Sequence, residues 1–352
     1  MATITLAIAT IYRPTATLST PTQVKQTLRN TKYYSIMRLL EETLMVIETD
    51  RLTKHYGPVV AVDSLSLQVP KGGVFGLLGP NGSGKTTTMG MLLGLVKPTS
   101  GSIRLFGQDI HGTHLSALRR IGATVESPAF YPHLSGRANL RYFQGIGKSD
   151  GPEELDHLLD LVGLSQRADS KYRTYSTGMK QRLGIAYTLL GNPELVLLDE
   201  PTNGLDPAGI AEVRDLTRRL CADGRTVLLS SHLLHEVEQV CDSVAILSRG
   251  QLIAQGKVHE LLRRQGFVRL RTTDDTKAQR ILASLDCVSS MREEDGYLMI
   301  ETPPDRSGEL SKALGQQEVF VTEMVPVHLS LERFFLEITG EQHTSTSKKA
   351  IR

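Results

Sequence analysis

The chain has 352 residues, of which 40% are hydrophobic and 22% are charged, and its formal net charge is +2. This composition is typical of a globular protein of about two domains. The near-neutral charge, the 5% aromatic content and the absence of tryptophan argue against the basic patches and base-stacking surfaces of nucleic-acid-binding proteins. We therefore expect no nucleic-acid partner.

The cysteines and the hydropathy pattern restrict the class of protein further. Cys221, Cys241 and Cys287 are scattered and form no C-x-x-C pair. This spacing favours a reducing compartment and predicts neither a disulfide framework nor a cysteine metal site. No stretch approaches 18 consecutive apolar residues, so we do not expect this chain itself to cross a membrane.

Residues 1–44 differ from the remainder of the chain. They are rich in Thr, Ala and Ser, they contain Pro14 and Pro21, and their apolar opening lacks the basic segment of a secretory signal. We predict a disordered N-terminal extension, or an upstream start with Met45 as the true first residue. We assign this segment no function.

A glycine-rich loop organises the chain and fits the pattern G-x-x-x-x-G-K-[ST]. Its residues are Gly79, Pro80, Asn81, Gly82, Ser83, Gly84, Lys85 and Thr86, followed by Thr87. A predicted strand over 74–78 precedes the loop and a predicted helix over 87–95 follows it, which is the context of a phosphate-binding loop rather than of an ordinary turn. We expect Lys85 to reach the β- and γ-phosphates and the Thr86 hydroxyl to ligate Mg²⁺. The loop predicts a nucleoside triphosphate site.

Short strands lie on both sides of this loop. Residues 46–49 and 61–69 predict two strands, the second alternating as a half-buried antiparallel strand does, and 101–106 predict another. Tyr56 lies in the turn between the first two strands. Its position fits a residue that stacks on adenine and an ordinary turn tyrosine equally well.

The middle of the chain combines one further strand with a helical segment. Residues 121–126 predict a buried strand that ends in the carboxylate Glu126, and a proline-containing loop follows. Helices are predicted over 139–143, over 153–162 and from about Ser176, with Gly163 marking a helix end.

Two apolar strands that end in polar side chains follow. Residues 195–198 predict a buried parallel strand whose carboxyl end carries Asp199 and Glu200, where ligands bind in open α/β sheets. With the phosphate loop, Asp199 is the candidate metal carboxylate and Glu200 the candidate base, although a solvated strand end also fits the pattern. Residues 226–231 repeat the form and end at His232, for which we favour a catalytic contact over a capping role. A predicted hairpin over 244–256 closes the domain.

Beyond about residue 265 the pattern becomes β-α-β-α-β, which resembles a ferredoxin-like half. The predicted strands are 267–270, 296–300 and 319–325, the predicted helices are 276–285 and 306–314, and a last helix covers 329–338. Residues 341–352 are polar and predict a flexible tail.

The segment 175–182 lies shortly before the acidic strand and places Ser176, Thr177 and Gly178 at the start of a helix. It resembles the signature motif of ABC-transporter ATPases. In chain order Tyr56, the phosphate loop, Glu126, this signature, the acidic strand, Gly204-Leu205-Asp206 and His232 match that family's motif set. The resemblance covers about residues 46–260.

The resemblance implies an α/β fold, with a P-loop ATPase core, an antiparallel β subdomain and a helical signature subdomain, followed by a small α+β domain. We expect the ATPase domain over 45–264, its helical subdomain over about 127–185, and the C-terminal α+β accessory domain over 265–340. The implied cofactors are ATP and Mg²⁺.

The family's residue roles carry over by position. Tyr56 resembles the adenine-stacking aromatic, Asp199 the Walker B magnesium ligand, Glu200 the general base and His232 the switch histidine. The resemblance also implies that Ser176, Thr177 and Gly178 close over ATP held by a second ATPase subunit, a second copy or a close paralogue. Asp206 resembles the D-loop residue that crosses this dimer interface.

Two departures from the family pattern narrow the expectation. The signature is Tyr-Ser-Thr-Gly-Met where Leu-Ser-Gly-Gly-Gln is usual, and Glu126 stands where a glutamine is usual. A carboxylate there could reach Mg²⁺ or the attacking water. The surrounding 125–132 segment resembles the ATPase subunits of bacitracin- and lantibiotic-type exporters, and residues 329–340 resemble the end of ABC-2-type drug-export ATPases.

We therefore expect an exporter subunit that docks on a separate membrane permease near residues 126–133, at the cytoplasmic face of the membrane, with a drug or an antimicrobial peptide as cargo. The main alternative is a soluble ABC ATPase that acts on nucleic acid or ribosomes. One phosphate loop and the lack of sustained heptads disfavour it. A P-loop kinase or GTPase would leave the signature unexplained, and intact Lys85, Asp199 and Glu200 oppose a non-catalytic regulator.

Overall fold

The computed structural model describes residues 45–110, 116–125, 129–147, 152–263, 267–303, 306–327 and 330–339. The predictions for residues 1–44, for Glu126 and for the tail over 341–352 lie outside these ranges.

The secondary structure alternates strands and helices after an initial group of strands. The strands are β1 (Met45–Tyr56), β2 (Val59–Leu65), β3 (Gln68–Pro70), β4 (Gly73–Leu78), β5 (Ser100–Leu105), β6 (Gln108–Asp109), β7 (Ile121–Thr124), β8 (Leu195–Leu198), β9 (Thr226–Ser231), β10 (Ser243–Ser248), β11 (Gln251–Lys257), β12 (Phe267–Thr272), β13 (Ser290–Glu294), β14 (Tyr297–Glu301) and β15 (Val321–Val327). The α-helices with both ends described are α1 (Lys85–Leu92), α2 (Gly136–Gly147), α3 (Pro152–Leu161), α4 (Thr177–Thr188), α5 (Pro207–Ala222), α6 (Leu234–Val240), α7 (Val258–Arg263), α8 (Asp275–Leu282), α9 (Ser307–Gln316) and α10 (Leu331–Thr339).

A six-stranded sheet in the order β11-β10-β4-β9-β8-β7 forms the centre of the predicted ATPase core. Its strands pair in parallel except for β11, which pairs antiparallel with β10 at one edge. Along β8, Val196 and Leu198 pack into one apolar cluster while Leu195 and Leu197 pack into the other, because successive side chains of a strand point to opposite faces. The predicted buried parallel strand at 195–198 is confirmed.

A second, antiparallel sheet in the order β2-β1-β5-β6, with β3 paired to β1, packs on one of these clusters. The antiparallel pairing of β1 and β2 is as predicted. The single strand predicted over 61–69 is wrong in its extent. It divides into β2, which ends at Leu65, and β3, which begins at Gln68, and the φ of 50° at Ser64 marks a departure from extended backbone just before this break.

The C-terminal segment contains one more strand than the sequence pattern predicts. The elements β12-α8-β13-β14-α9-β15 form an antiparallel sheet in the order β13-β14-β12-β15. This βαββαβ arrangement is the full ferredoxin-like motif, whereas the sequence predicted a half. Its core lies between one face of the sheet and the two helices, with Leu270, Leu282 and Leu314 fully buried.

Helix α10 packs away from this small core. Its residues Leu331 and Phe335 belong to the large apolar cluster of the ATPase core, and the Leu331 N–H donates to Glu238 Oε2 on α6 at 2.9 Å. The last helix therefore ties the C-terminal segment to the ATPase core. Within the described part of the chain, no helix is long and apolar enough to span a membrane.

Candidate active site

The predicted site residues converge at the carboxyl edge of the six-stranded sheet. Strand β9 lies between β4 and β8, so the phosphate loop after β4, His232 after β9 and the carboxylates after β8 emerge side by side. This is the edge at which parallel α/β sheets bind their ligands. The sequence predicted this convergence from the three strand ends.

The phosphate loop takes a shape that requires glycine. Gly84 has a φ of 102°, and a Cβ there would lie 2.6 Å from the carbonyl oxygen of Ala61 on β2. Gly84 directly precedes α1, so the loop presents the N-terminal end of this helix, where backbone N–H groups and the dipole favour an anion. Pro80, Asn81 and Gly82 are exposed at the rim of the loop, and Thr87 is half-buried in the first turn of α1.

Lys85 is buried and turns back over the loop. Its Nζ donates to the carbonyl oxygen of Gly79 at 2.7 Å and to that of Pro80 at 3.3 Å. The buried hydroxyl of Ser83, inside the same loop, has no hydrogen-bond partner among the described residues. A buried polar group of this kind needs a partner. An ammonium, an unpaired hydroxyl and a helix N-terminus fit the phosphate oxygens of a nucleotide.

An oxygen pair lies next to the lysine. The Thr86 hydroxyl donates to Asp199 Oδ2 at 3.0 Å, and Asp199 is buried at the end of β8. A hydroxyl and a carboxylate are hard oxygen ligands of the type that Mg²⁺ prefers, and Mg²⁺ takes its remaining ligands from water and substrate phosphates. The donor set that the sequence predicted for a metal is present and adjacent.

Glu200 lies between two cationic or protonatable groups. Its Oε1 is 3.3 Å from Lys85 Nζ, and its Oε2 is 2.8 Å from His232 Nδ1. Its backbone has a φ of 49°, the left-handed region that non-glycine residues seldom adopt without support from their surroundings. The candidate base, the phosphate-loop lysine and the histidine thus form one connected group.

The signature residues lie at a separate helix start. Ser176 caps α4 by accepting a hydrogen bond from the Met179 N–H at 3.2 Å, and Thr177 is exposed beside it. Asp206 caps α5 in the same way, through the Gly209 N–H at 3.0 Å. No hydrogen bond or ion pair of the described residues joins either cap to the phosphate loop.

Two further predicted site residues are Tyr56, which the structure describes, and Glu126, which it does not. Tyr56 ends β1 with its side chain 49% exposed, and Lys54 Nζ lies 4.9 Å from the centre of its ring. The ring is accessible for stacking, and its adenine-stacking role stays a prediction. Glu126 lies outside the described residues, so its role stays a prediction.

Sequence reasoning gave no role to two buried polar residues that support the site and its surroundings. The first is Ser230, which contacts both carboxylate residues. The second is Asn139 on α2, whose amide donates to the carbonyl of Tyr131 and accepts from the Tyr131 N–H at 2.7 Å. The only sequence signal for Ser230 was a hydroxyl at the end of an apolar strand, and the only signal for Asn139 was a polar residue within an amphipathic helix.

Comparison with known proteins identifies the family. Residues 62–203 match the ABC transporter family. The chain is 40% identical to the uncharacterized ABC transporter ATP-binding protein YhcH of Bacillus subtilis, over 84% of this chain and 96% of that protein. It is 39% identical to the bacitracin transport ATP-binding protein BcrA of Bacillus licheniformis, over 84% and 97% respectively.

A solved structure agrees with these relatives. The ADP conformation of MJ1267, an ATP-binding cassette of an ABC transporter, matches with a TM-score of 0.56 and 26% identity, over 62% of this chain and 95% of that one. The predicted fold and the predicted resemblance are confirmed. The chain belongs to the ABC transporter family, as an ATP-binding subunit that hydrolyses ATP.

Proposed function

We propose that this chain is the ATPase subunit of an exporter and that the group around Glu200 is its hydrolytic centre. The observation that carries the proposal is the contact of one carboxylate with both the phosphate-loop lysine and the histidine. In the proposed assignment Lys85 holds the β- and γ-phosphates, Glu200 accepts a proton from the attacking water, and His232 orients Glu200 and contacts the γ-phosphate. Tyr56 stacks on the adenine.

Mg²⁺ completes the proposed site. Thr86 and Asp199 would hold the ion, which neutralises developing charge on the phosphates when it is bound. The chain's own contribution is positional. Lys85 leaves the carbonyls of Gly79 and Pro80 for the phosphates, which frees Glu200 Oε1 to face water. We propose that Glu126, which follows β7 in the sequence, reaches the metal or this water.

We further propose that two ATPase subunits, as a homodimer or with a close paralogue, enclose two ATP molecules. Ser176, Thr177 and Gly178 would then bind the nucleotide of the partner subunit. Two observations support this assignment: the start of α4 is accessible, and Gly178 lies beside Leu205, so that the signature and the segment ending at Asp206 share one surface. A helix N-terminus there suits an anion supplied from outside the chain.

The proposed permease-docking surface comprises residues 126–133, of which the structure describes 129–133, together with exposed residues of α2. Tyr131 and Tyr142 are 38% and 47% exposed, their ring centres lie 5.0 Å apart, and Ile146 on the same helix is 65% exposed. Asn139 holds the backbone of Tyr131 in place. Exposed aromatic residues on a fixed loop suit an apolar segment of a membrane partner, and such docking would place the chain at the cytoplasmic face of the membrane.

For the cargo we propose a drug or an antimicrobial peptide, on the support of the similarity to the bacitracin transport protein. For the domain organisation we propose an ATPase domain over 45–264 that contains the helical subdomain, and a C-terminal α+β domain over 265–340. The separate core of β12–β15 with α8 and α9 supports this division.

The test is capture of the membrane partner in the ATP-bound state. Glu200→Gln removes the proposed base but keeps the shape of the side chain. We therefore expect the variant to bind MgATP, to lose hydrolysis by about 10²-fold or more, and to recover a multi-span membrane protein without an ATPase domain from solubilised native membranes.

Lys85→Ala with MgATP serves as the matched control, because it is expected not to reach the ATP-bound state. Equal recovery of the same membrane protein by both variants would show that the partner does not recognise the ATP-bound state. Recovery of ribosomes or nucleic acid with Glu200→Gln would replace the exporter proposal with the soluble ABC ATPase. A parent-like hydrolysis rate in Glu200→Gln would refute the base assignment.

A further inference from the structure

Ser230 connects the two carboxylate residues of the site. It is the fifth residue of β9, fully buried, on the strand that separates β4 from β8. Its hydroxyl donates to Asp199 Oδ1 at 2.5 Å and accepts from the backbone N–H of Glu200 at 2.8 Å. One buried side chain therefore contacts the proposed metal ligand and the proposed base together.

The chemistry of a hydroxyl suits this position. A serine offers one O–H donor and two acceptor lone pairs, and both kinds of bond are made here. A 2.5 Å contact to a carboxylate is in the range of charge-assisted O–H···O⁻ hydrogen bonds, which are stronger than neutral ones. An alanine would supply neither bond, and a bulkier amide or acid would not fit a fully buried strand position without displacing its neighbours.

The hydrogen bond from the Glu200 N–H to the Ser230 hydroxyl constrains the backbone of Glu200. This residue has a left-handed φ of 49°, a conformation that persists only where the surroundings impose it. The hydrogen bond from its N–H to Ser230 is one such constraint. The direction in which the Glu200 side chain leaves β8 then depends on Ser230, and so does its reach to Lys85 and His232.

The hydrogen bond from the Ser230 hydroxyl to Oδ1 orients the carboxylate of Asp199. With Oδ1 held by Ser230, Oδ2 is the oxygen that faces the Thr86 hydroxyl at 3.0 Å. Groups that hydrogen-bond to a metal-ligating carboxylate orient it, and they commonly affect both metal affinity and activity. Ser230 thus fixes which oxygen of Asp199 is available to a metal ion.

We propose that Ser230 is the positioning residue that sets both the metal-binding oxygen of Asp199 and the direction of Glu200. This inference rests on the proposed roles of Asp199 and Glu200, and it extends them to a residue on a third strand. Ser230 touches neither nucleotide nor water in this assignment and acts only through the two carboxylates.

Another hydroxyl of the same strand provides a matched control. Thr226, at the opposite end of β9, is also buried, and its hydroxyl also accepts from a backbone N–H, that of Gly72, at 2.8 Å. Thr226→Val therefore removes a buried hydrogen bond of the same type, at the same strand, far from the carboxylates. It reports the general cost of such a loss.

The experiment compares Ser230→Ala, Ser230→Thr, Thr226→Val and Glu200→Gln in the purified full chain. For Ser230→Ala we expect kcat for ATP hydrolysis to fall by about 10- to 100-fold, the KM for ATP to change by less than about threefold, and the Mg²⁺ concentration for half-maximal rate to rise. Ser230→Thr keeps the hydroxyl and adds one methyl group. We expect it to recover most of the rate.

A measurement of the Tm, which requires no ATP turnover, accompanies the rate measurements. ATP with EDTA should raise the Tm of Ser230→Ala as it does that of the parent, whereas the additional rise on adding Mg²⁺ should be smaller. Thr226→Val should show a lower Tm without nucleotide but parent-like kcat and a parent-like Mg²⁺ increment. This pattern separates positioning from general loss of stability.

Two results would overturn the inference. One is a Ser230→Ala variant whose kcat and Mg²⁺ increment match those of Thr226→Val. The other is a folded Ser230→Thr variant that is as slow as Ser230→Ala, since the hydroxyl would then not matter. A parent-like rate in Glu200→Gln would instead remove the proposed base, while the Mg²⁺ increment would still test the contact of Ser230 with Asp199.

Discussion

Charged residues are arranged differently in two regions of the molecule. One region is the carboxyl edge of the six-stranded sheet, and the other is the face of the C-terminal sheet that lies opposite α8 and α9. At the edge, Glu200 contacts both Lys85 and His232, and each of these three residues lies in the segment that follows a different strand. On the C-terminal face, charges pair across neighbouring strands instead. Arg269 on β12 donates to Glu323 on β15, and its guanidinium lies 4.3 Å from the ring centre of Tyr297 on β14.

The difference follows from strand direction. Parallel strands bring their carboxyl ends to one edge, where loops and helix starts converge on a small volume and can bind a ligand. Antiparallel strands instead place side chains in rows across a flat face, where opposite charges satisfy each other. The first arrangement can form a ligand-binding site, whereas the second stabilises a sheet. Substitutions in the two regions should therefore have different consequences.

The largest expected effect is at the edge. Lys85→Ala removes a buried ammonium that bonds the carbonyls of Gly79 and Pro80 and lies beside Glu200. Loss of one member of a buried charged network costs about 2–5 kcal/mol, so we expect the affinity for ATP to fall at least about 30-fold. Equilibrium binding of a fluorescent ATP analogue measures it.

Lys71→Ala is the control for this substitution. Lys71 is exposed at the opposite edge of the sheet and lies 3.9 Å from Glu194, and exposed ion pairs contribute little to stability. Its nucleotide affinity should equal that of the parent. If Lys85→Ala bound ATP as tightly as Lys71→Ala does, the edge would not be the phosphate site.

A loss of folding stability, rather than of nucleotide affinity, is expected where α10 packs on the ATPase core. Phe335 of α10 is buried in the large cluster of the ATPase core. Replacing a buried Phe by Ala typically costs about 3–5 kcal/mol, so Phe335→Ala should lower the Tm clearly. Phe320→Ala, which changes a residue that is 63% exposed in the same C-terminal segment, should leave the Tm unchanged. Equal melting of both variants would show that α10 does not tie the regions together.

Much of the ATPase core could be predicted from sequence because its signals are local. The apolar run before Gly79, the glycine spacing and the apolar run before Asp199 each predict a strand and the polar end that follows it. Since parallel strands end at one edge, these local predictions were sufficient to place Lys85, Asp199 and His232 together.

The remaining features depend on pairings that no local pattern encodes. Strand β13 was missed because its residues Ser290–Glu294 are mostly exposed and lack apolar alternation, so that only pairing with β14 makes them a strand. Ser230 was missed because its partners lie 30 and 31 residues away, just beyond the end of another strand. The packing of α10 on the ATPase core was missed because its amphipathic pattern shows that it has an apolar face but not which surface covers that face.

The smallest expected effect is on the face of the C-terminal sheet. Hydrogen bonds from Arg269 and then from the Tyr297 hydroxyl hold the pKa of Glu323 below its usual value. A carboxylate whose pKa is lower in the folded than in the unfolded state adds stability above the unfolded pKa, and this stability is lost as the pH falls through the folded pKa. Glu323→Gln should therefore lower the Tm slightly near neutral pH.

The pH dependence distinguishes this pairing from simple packing. The Tm difference between parent and Glu323→Gln should be constant from about pH 8 to about pH 5 and should shrink below about pH 4, where the unfolded carboxylate takes up its proton first. Glu293→Gln, which replaces an exposed carboxylate of the same sheet, is the control and should leave the Tm near neutral pH close to that of the parent. A Glu323→Gln difference that persisted unchanged into acid would show that the loss does not come from the charge of Glu323, and the charge pairing assigned to this face would be wrong.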